Sequence, residues 1–588
     1  VRRSPRAVRI LRAALAVLCA ALPAIGCAAI PEYSPPQAVK GADESRRASP
    51  VAEPERDADP LTLVRNFILA SSSPDGDHAA ARLYLTKQAQ DQWNTKASPS
   101  VIADSFDTLY SPSVTPSGSA SRTTVVLRAT KVGRLGPDSA FTPEVGTEEV
   151  PMQVERQPDG QWRISEPPDG VRVTLSGFTE NYHQARLYFF DPDRQVLVPD
   201  PRYVVAQPPS GMPARVMDLL LAGPSQALGG AVRSAIPPTV STRTNPVETP
   251  DGALEVNLDQ LGDQTVQNKR LIVAQIVRSL QGVTNSRVRI ESGGMPLFPD
   301  HPDWLPGDIP SYDAQTMPGA DLQGLVVAGG RVRSLKDGSP VPGPAGSGEY
   351  QVVSGAQSAD GSELAVVVRR PAGGMALRVG RYGETPREVD LPASQLTRPT
   401  WAPGGSTTDA SNELWTVADG NVVRVVKTAE GVWVPQAVNA AELTQLGPIT
   451  DLRLSRDGVR VAAVAGGRLV VSSVVRNQDS SVTLQAPRAL QWGSLAGVVD
   501  VDWQSQDSLV VATSSPTTPV ARLPVDGLQV DRYSSANLTA PVTAVAAAPG
   551  RPVMVVDASG AWTANDIGEV WRSMPINFGA GSLPFYPG

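Results

Sequence analysis

The sequence predicts a multidomain chain: an α+β N-terminal domain, an α/β middle domain and a C-terminal all-β propeller of about five or six blades. Three observations lead there. The 588 residues allow three or four domains at ~150 residues each. Helical periodicity is confined to the first three hundred residues, and short Val-rich runs fill the rest. From about residue 350, a β run, a polar tight turn and a second β run recur at intervals of 44–53 residues, the period of a four-stranded propeller blade. The 55 Pro and 51 Gly, well above the ~12% of an average chain, suit turn-rich β structure.

Composition also excludes. A net charge of −7 makes the chain a poor nucleic-acid binder, because neutralising phosphates requires clustered Lys and Arg. Two cysteines, Cys19 and Cys27, cannot build a disulfide framework or a Cys-rich metal centre. His78, His183 and His301 are scattered and match no metal-binding spacing.

Taken in order, residues 1–26 read as a signal peptide. Arg2, Arg3, Arg6, Arg9 and Arg12 form a basic start, followed by a thirteen-residue apolar run over 13–25. That run is too short for a permanent membrane helix, which needs ~20 residues, and fits a signal-peptide core. No other run is long enough, so no transmembrane helix is expected. Ala24-Ile25-Gly26-Cys27 resembles a bacterial lipobox. The resemblance implies cleavage between Gly26 and Cys27 and lipidation of the Cys27 thiol. The alternative is an ordinary secretory signal with an incidental cysteine. Residues 27–58 are rich in Pro, Ala, Ser, Glu and Arg with almost no bulky apolar group, and read as a disordered tether.

Residues 59–178 form the α+β domain. Asp59-Pro60 starts a helix with Leu61, Val64, Phe67 and Ile68 on one face. A second helix is expected at 77–93, then strands at 123–133, 149–156, 160–165 and 171–176, with Asp159-Gly160 as a hairpin turn. In element order this is similar to cone-shaped NTF2-like domains. Residues 179–300 form the second domain: strands at 185–190, 196–199 and 203–205, a helix from Pro213 to Leu221, a strand at 253–258, an amphipathic helix at 267–281 and a strand from Arg287 to Ile290. In the long helix, Ile272, Ile276, Ser279 and Leu280 are expected inside, and Leu271, Gln275 and Arg278 cannot all join them. The segments Leu220-Leu221-Ala222-Gly223-Pro224, Ser234-Ala235-Ile236-Pro237 and Leu254-Glu255-Val256-Asn257-Leu258 resemble the GerMN domain.

Residues 301–321 read as a linker, 322–578 as the propeller and 579–588 as a tail. The repeated turns are Ser358-Ala359-Asp360-Gly361, Trp401-Ala402-Pro403-Gly404, Ser455-Arg456-Asp457-Gly458, the Trp503–Asp507 segment and Ala547-Ala548-Pro549-Gly550. They mark five blades. The runs at 325–327 and 331–333 either close the ring against the last sheet or seed a sixth blade. A β-sandwich is the main alternative, but nothing in a sandwich requires this period.

No catalytic constellation stands out. The sequence holds no GxSxG elbow, phosphate loop or dinucleotide fingerprint. Asp191-Pro192-Asp193 lacks the rest of a calcium loop, and Glu148-Glu149 reads as a solvated strand end. Trp401, Trp415, Trp433, Trp492, Trp503, Trp562 and Trp571 read as blade packing, with a ligand face as the sharper alternative. No enzyme activity, metal or cofactor is expected.

A basic-apolar start with Cys27, a tether, an α+β domain, a GerMN-like domain and a propeller follow one another here. In that order the chain resembles the LpqB family of actinobacterial lipoproteins over essentially its whole length. The resemblance implies anchoring to the outer leaflet of the cell membrane through lipidated Cys27. It also implies binding to the extracellular part of an MtrB-type sensor kinase, with effects on envelope homeostasis and cell division. Alternatives are a cell-wall glycan-binding or glycan-cleaving lipoprotein, with peptidoglycan as partner, and an envelope scaffold.

Overall fold

A computed structural model describes residues 54–588 apart from 113–120, 194–195, 311, 313–316, 405–410, 491–494 and 496. The expectations for Cys19, Gly26, Cys27 and Trp492, and for most of the tether, lie outside the described residues.

The first domain opens with α1 (Pro60–Ala70), capped by Asp59 Oδ1, which accepts from Leu61 N at 2.9 Å. Leu63, Val64, Phe67 and Ile68 are its buried face, and Leu61 sits at the edge. The helix expected over 77–93 is two helices, α2 (Asp75–Arg82) and α3 (Lys87–Gln92). The break falls where Tyr84 and Thr86 pair through their backbones with Ile164. The strands are β1 (Ser100–Tyr110), β2 (Arg122–Leu135), β3 (Phe141–Pro143), β4 (Thr147–Arg156), β5 (Trp162–Glu166) and β6 (Arg172–Thr174), in sheet order β5-β4-β2-β1-β6 with β3 beside β2. β1 escaped sequence reading because register shifts at Val101/Ile102 and Ile102/Phe106 break its two-residue alternation. A short helix α4 (Leu175–Asn181), capped by Thr174, leads directly into the second domain.

There, β7 (Tyr182–Phe190) pairs antiparallel with β8 (Leu197–Val205). The two short runs expected at 196–199 and 203–205 are this one strand, carried through Pro199 and Pro201. Next come α5 (Met212–Ala222), β9 (Ser241–Thr242), β10 (Val247–Glu248), β11 (Ala253–Asp259), α6 (Val266–Leu280), β12 (Arg287–Ser292), β13 (Met295–Pro296) and β14 (Asp303–Trp304). β11 and β12 are parallel, with α6 as the crossover. In α6 both Leu271 and Gln275 are buried, and Arg278 is the residue left at the edge. Gln275 is tolerated inside because its Oε1 accepts from Ala235 N at 2.8 Å and its Nε2 donates to Ser234 Oγ at 3.1 Å. The Ser234–Pro237 segment is thereby pinned to the helix.

Described residues in and beside the segment expected to be a linker, 301–321, are tied to the rest of the body. β14 pairs with β12, the Tyr312 ring meets Phe190 edge-on at 5.6 Å, and Arg551 donates to the carbonyls of Gly319, Ala320 and Leu322.

Among the described residues, the β half is six successive sheets. Five have four strands, with inner strands Val352–Gln357, Thr400–Trp401, Ile449–Leu454, Val498–Trp503 and Ala544–Ala546; these are blades 2 to 6. Blade 1 combines Leu325–Ala328 and Arg331–Ser334 with Leu583–Phe585 from the far end of the chain. Inner strands of neighbouring blades touch around the ring, and Leu583–Phe585 contacts those of blades 6 and 2. The propeller therefore has six blades. The segment expected to be a tail carries the closing strand, with Phe585 only 1% exposed.

Candidate functional site: the junction of the three domains

The domains share their cores. Tyr203 of β8 and Leu528 of blade 5 belong to the first domain's apolar cluster, and Val459 and Val475 of blade 4 belong to the second's. Tyr203 packs on Phe178 with ring centroids 5.1 Å apart.

A buried polar network runs through this seam. Arg202 and Asp200, both in β8, are paired at 2.6 Å with side chains 1% and 3% exposed. Arg202 also donates to the carbonyls of Asp138 in the first domain and Gly223 after α5. Asp200 accepts from Ser225 N and Ser225 Oγ. One ion pair thus fixes β8, the end of α5 and the first domain together, and pairing of the opposite charges is what makes them tolerable inside. On the propeller side, Arg460 Nη2 donates to Pro199 O at 2.5 Å and Gln506 Nε2 to Leu197 O at 2.9 Å. Asp526 accepts from Tyr203 Oη at 2.8 Å, Gln184 Nε2 at 2.9 Å and Leu528 N at 3.0 Å. Burial pushes the Asp526 carboxyl up, against these donors, and burial followed by the Asp526 charge pushes the Tyr203 phenol up.

Above this network lies a cleft of about 680 Å³ between the second domain and blade 5. His183 and Arg186 of β7 form one wall. Gln504, Asp507, Ser508 and Gln529 of blade 5 form the other. Arg186 and Asp507 pair across it at 2.6 Å. His183 Nε2 lies 3.1 Å from Gly282 O.

A second charged cluster lies between the inner strands of the propeller. Arg453 pairs with Asp451 at 2.5 Å and Asp500 at 3.1 Å, and Arg398 with Asp502 at 3.0 Å. Asp500 and Asp502 accept from the backbone N–H groups of Val545 and Ala547. Arg456 donates to the carbonyls of Ala547 and Pro587. Burial, then the nearby Asp451 charge, raises the Asp500 carboxyl well above the usual range. Burial lowers Arg456 to about 10. These groups lock blades 4 to 6 and the closing strand to one another.

The residues weighed in the sequence fall apart in space. His78 is buried against Trp93, with Nδ1 3.0 Å from Ser71 O, and its pKa is lowered by that burial. His301 lies on Trp304. Asp191 accepts from Val196 N and Asp193 N and shapes a turn. Glu149 pairs with Arg128, and Glu148 lies 3.9 Å from Arg172. Trp401, Trp415, Trp503 and Trp571 are packed inside the blades. Among the described residues, no group of three or more His, Cys, Asp or Glu could hold a metal ion, and no helix is long and apolar enough to cross a membrane. Sequence reading missed Gln184, Tyr203, Arg460, Asp507 and Asp526. The available signal was the pair of charges, Asp200 and Arg202, inside an otherwise apolar β run.

Family profiles match in three stretches: the lipoprotein LpqB N-terminal domain over residues 53–179, a sporulation and spore germination domain over 186–298, and the lipoprotein LpqB beta-propeller domain over 329–587. The chain is 33% identical over 597 residues to lipoprotein LpqB of Rhodococcus jostii (strain RHA1), covering 97% of both chains. This chain belongs to the LpqB family. Other members are the LpqB lipoproteins of Mycolicibacterium smegmatis, 32% identical over 98% of this chain and 99% of the relative, and of Mycobacterium tuberculosis, 30% identical over 96% and 97%. Alignment over nearly the full length means that family members share the three-domain order as well as the separate domains.

Proposed function

We propose that the chain is a lipid-anchored extracytoplasmic accessory protein, acting by binding rather than catalysis, that docks on the extracellular part of an MtrB-type sensor kinase and tunes its output. The observation that carries this is the full-length similarity to relatives named lipoproteins, together with Cys27 directly behind a basic-apolar leader. In this reading, cleavage after Gly26 frees Cys27 for acylation, and two or more acyl chains hold the protein on the outer leaflet. The tether of about thirty residues averages ~30 Å as a coil and reaches ~100 Å when stretched. It keeps the three-domain body at high effective concentration near membrane partners. The body supplies a fixed surface, because its domains share cores and buried ion pairs.

The test replaces the native chain in cells by Cys27→Ser and, separately, by the anchor and tether alone. Membrane partition and phosphorylation of the kinase's response regulator are then measured. Cys27→Ser should leave the membrane fraction, and both replacements should alter phosphorylation. Retention of Cys27→Ser on the membrane, or unchanged phosphorylation after loss of the three domains, overturns the proposal.

A further inference from the structure

The three domains converge on one small cavity. Its lining includes Ala140 and Phe141 of the first domain, Asp200 of the second, Arg460 and Arg488 of blade 4 and Asp526 of blade 5. The centre of a water molecule has about 10 Å³ there in which to move. That is the lower bound for holding one water and too little for a larger ligand.

The hydrogen-bonding groups around the cavity are complementary but unmatched. Two guanidiniums and two carboxylates line it. Asp200 is paired with Arg202, and Arg460 lies 3.6 Å from Asp457. That leaves one charge of each sign, Arg488 and Asp526, each in the other's field. Donors without acceptors sit on the cationic residues: Arg460 Nη1 and Arg488 Nε are buried and have no hydrogen-bond partner. Spare acceptor capacity sits on the carboxylates. Asp200 Oδ1 accepts from Ser225 Oγ alone, and Asp526 Oδ1 from Leu528 N alone, whereas a carboxylate oxygen can accept twice. Buried polar groups in this position take their partners from protein or from ordered water.

We infer that the cavity binds one structural water, which accepts from Arg460 Nη1 and Arg488 Nε and donates to Asp200 Oδ1 and Asp526 Oδ1. Two acceptances and two donations are the full capacity of a water molecule. A halide would satisfy the guanidiniums but face two carboxylates, and a metal cation would do the reverse. The water joins Arg488 and Asp526 as an ion pair with one molecule between them. It also ties the propeller to Asp200 of the second domain, beneath Phe141 of the first. The inference concerns how the body holds together and does not depend on what that body docks on.

The test crystallises the full chain in detergent, with bromide as the sole halide, and refines it where ordered water is visible. One peak without anomalous signal should lie in the cavity, about 2.7–3.2 Å from at least three of the four named atoms. An anomalous peak, a cavity without density, or Arg488 closed directly onto Asp526 overturns the inference. Ala140→Val, which fills the cavity, checks it in solution by thermal unfolding. Displacing a bound water strands two donors, so Tm should fall, whereas filling a dry void adds packing contacts and raises it. In an Arg488→Met background one of those donors is gone, and the fall should shrink by roughly half. A rise in Tm, or an equal fall in both backgrounds as overcrowding alone would give, also overturns it.

Discussion

Arg460→Ala tests how much a buried cation of blade 4, ion-paired within the propeller and hydrogen-bonded to the second domain, contributes to stability. The Arg460 and Asp457 side chains are 2% and 0% exposed, with Nη1 and Oδ2 3.6 Å apart. Arg460 Nη2 also donates to Pro199 O across the seam. Truncation leaves the Asp457 carboxylate with only Ser455 Oγ and Val459 N as donors, both on Oδ1. Removing one partner of a buried pair costs about 3–5 kcal/mol, because the other charge stays buried. That is roughly two to three and a half powers of ten in the folding equilibrium. The loss should depend on pH. Burial raises the Asp457 pKa and Arg460 opposes the rise, so the variant carboxyl moves up further. A raised folded-state value means that the proton is held more tightly in the native state. The associated stability is present below the unfolded value and is lost as pH rises through the folded one. The deficit should therefore be largest at neutral pH and shrink as pH falls towards the ordinary carboxylate value of 3.8. Urea unfolding followed by tryptophan fluorescence at neutral and mildly acidic pH measures it. Adding Asp457→Asn should recover more than half of the loss, since Oδ2 has no hydrogen bond to give up. A deficit below ~1 kcal/mol, as for exposed pairs, would refute the reasoning. A deficit independent of pH, or one untouched by Asp457→Asn, would do the same.

Three further outcomes follow from single contacts. Gln275→Leu should cost about 1–3 kcal/mol by leaving the buried Ala235 N–H unpaired, and hydrogen exchange at Ala235 should accelerate. Gly223→Ala meets no atom within 4 Å but must adopt φ +94°; a loss of about 1–3 kcal/mol in thermal unfolding would reflect backbone strain alone. Phe585→Ala should cost about 3–5 kcal/mol and expose blade 1 to limited proteolysis first, because Phe585 packs in the core of blades 1 and 2 and its strand closes the ring.

Elements whose pattern is local could be read from sequence, and those set by distant partners could not. The blade turns were legible because Ser–Asp–Gly signals are self-contained: Ser358 Oγ bonds Asp360, and Gly361 takes φ +77°. In α6, Ile272, Ile276 and Leu280 announced the buried face. Gln275 did not, because its burial depends on Ala235, forty residues earlier in the chain. The closing strand was hidden because Leu583–Phe585 finds its partner at Leu325–Val327, and three residues carry no period. The cleft was the least legible feature. Its walls come from residues 183–186 and 504–529, and neither segment holds a motif on its own.

The tight turn Ser455–Gly458 joins the two charged networks. Arg456 points between the inner strands, where it donates to the carbonyls of Ala547 and Pro587. The next residue, Asp457, faces Arg460 and, through it, Pro199 of the second domain. Neighbouring side chains on one turn therefore hold the ring closure and the domain seam. Such a turn cannot shift to relax one network without disturbing the other, because both side chains are buried and neither can exchange its partners for water. The fixed placement of the second domain on blades 4 and 5 and the closure of the propeller are accordingly parts of one packing solution, and the cleft above Asp526 owes its defined walls to both.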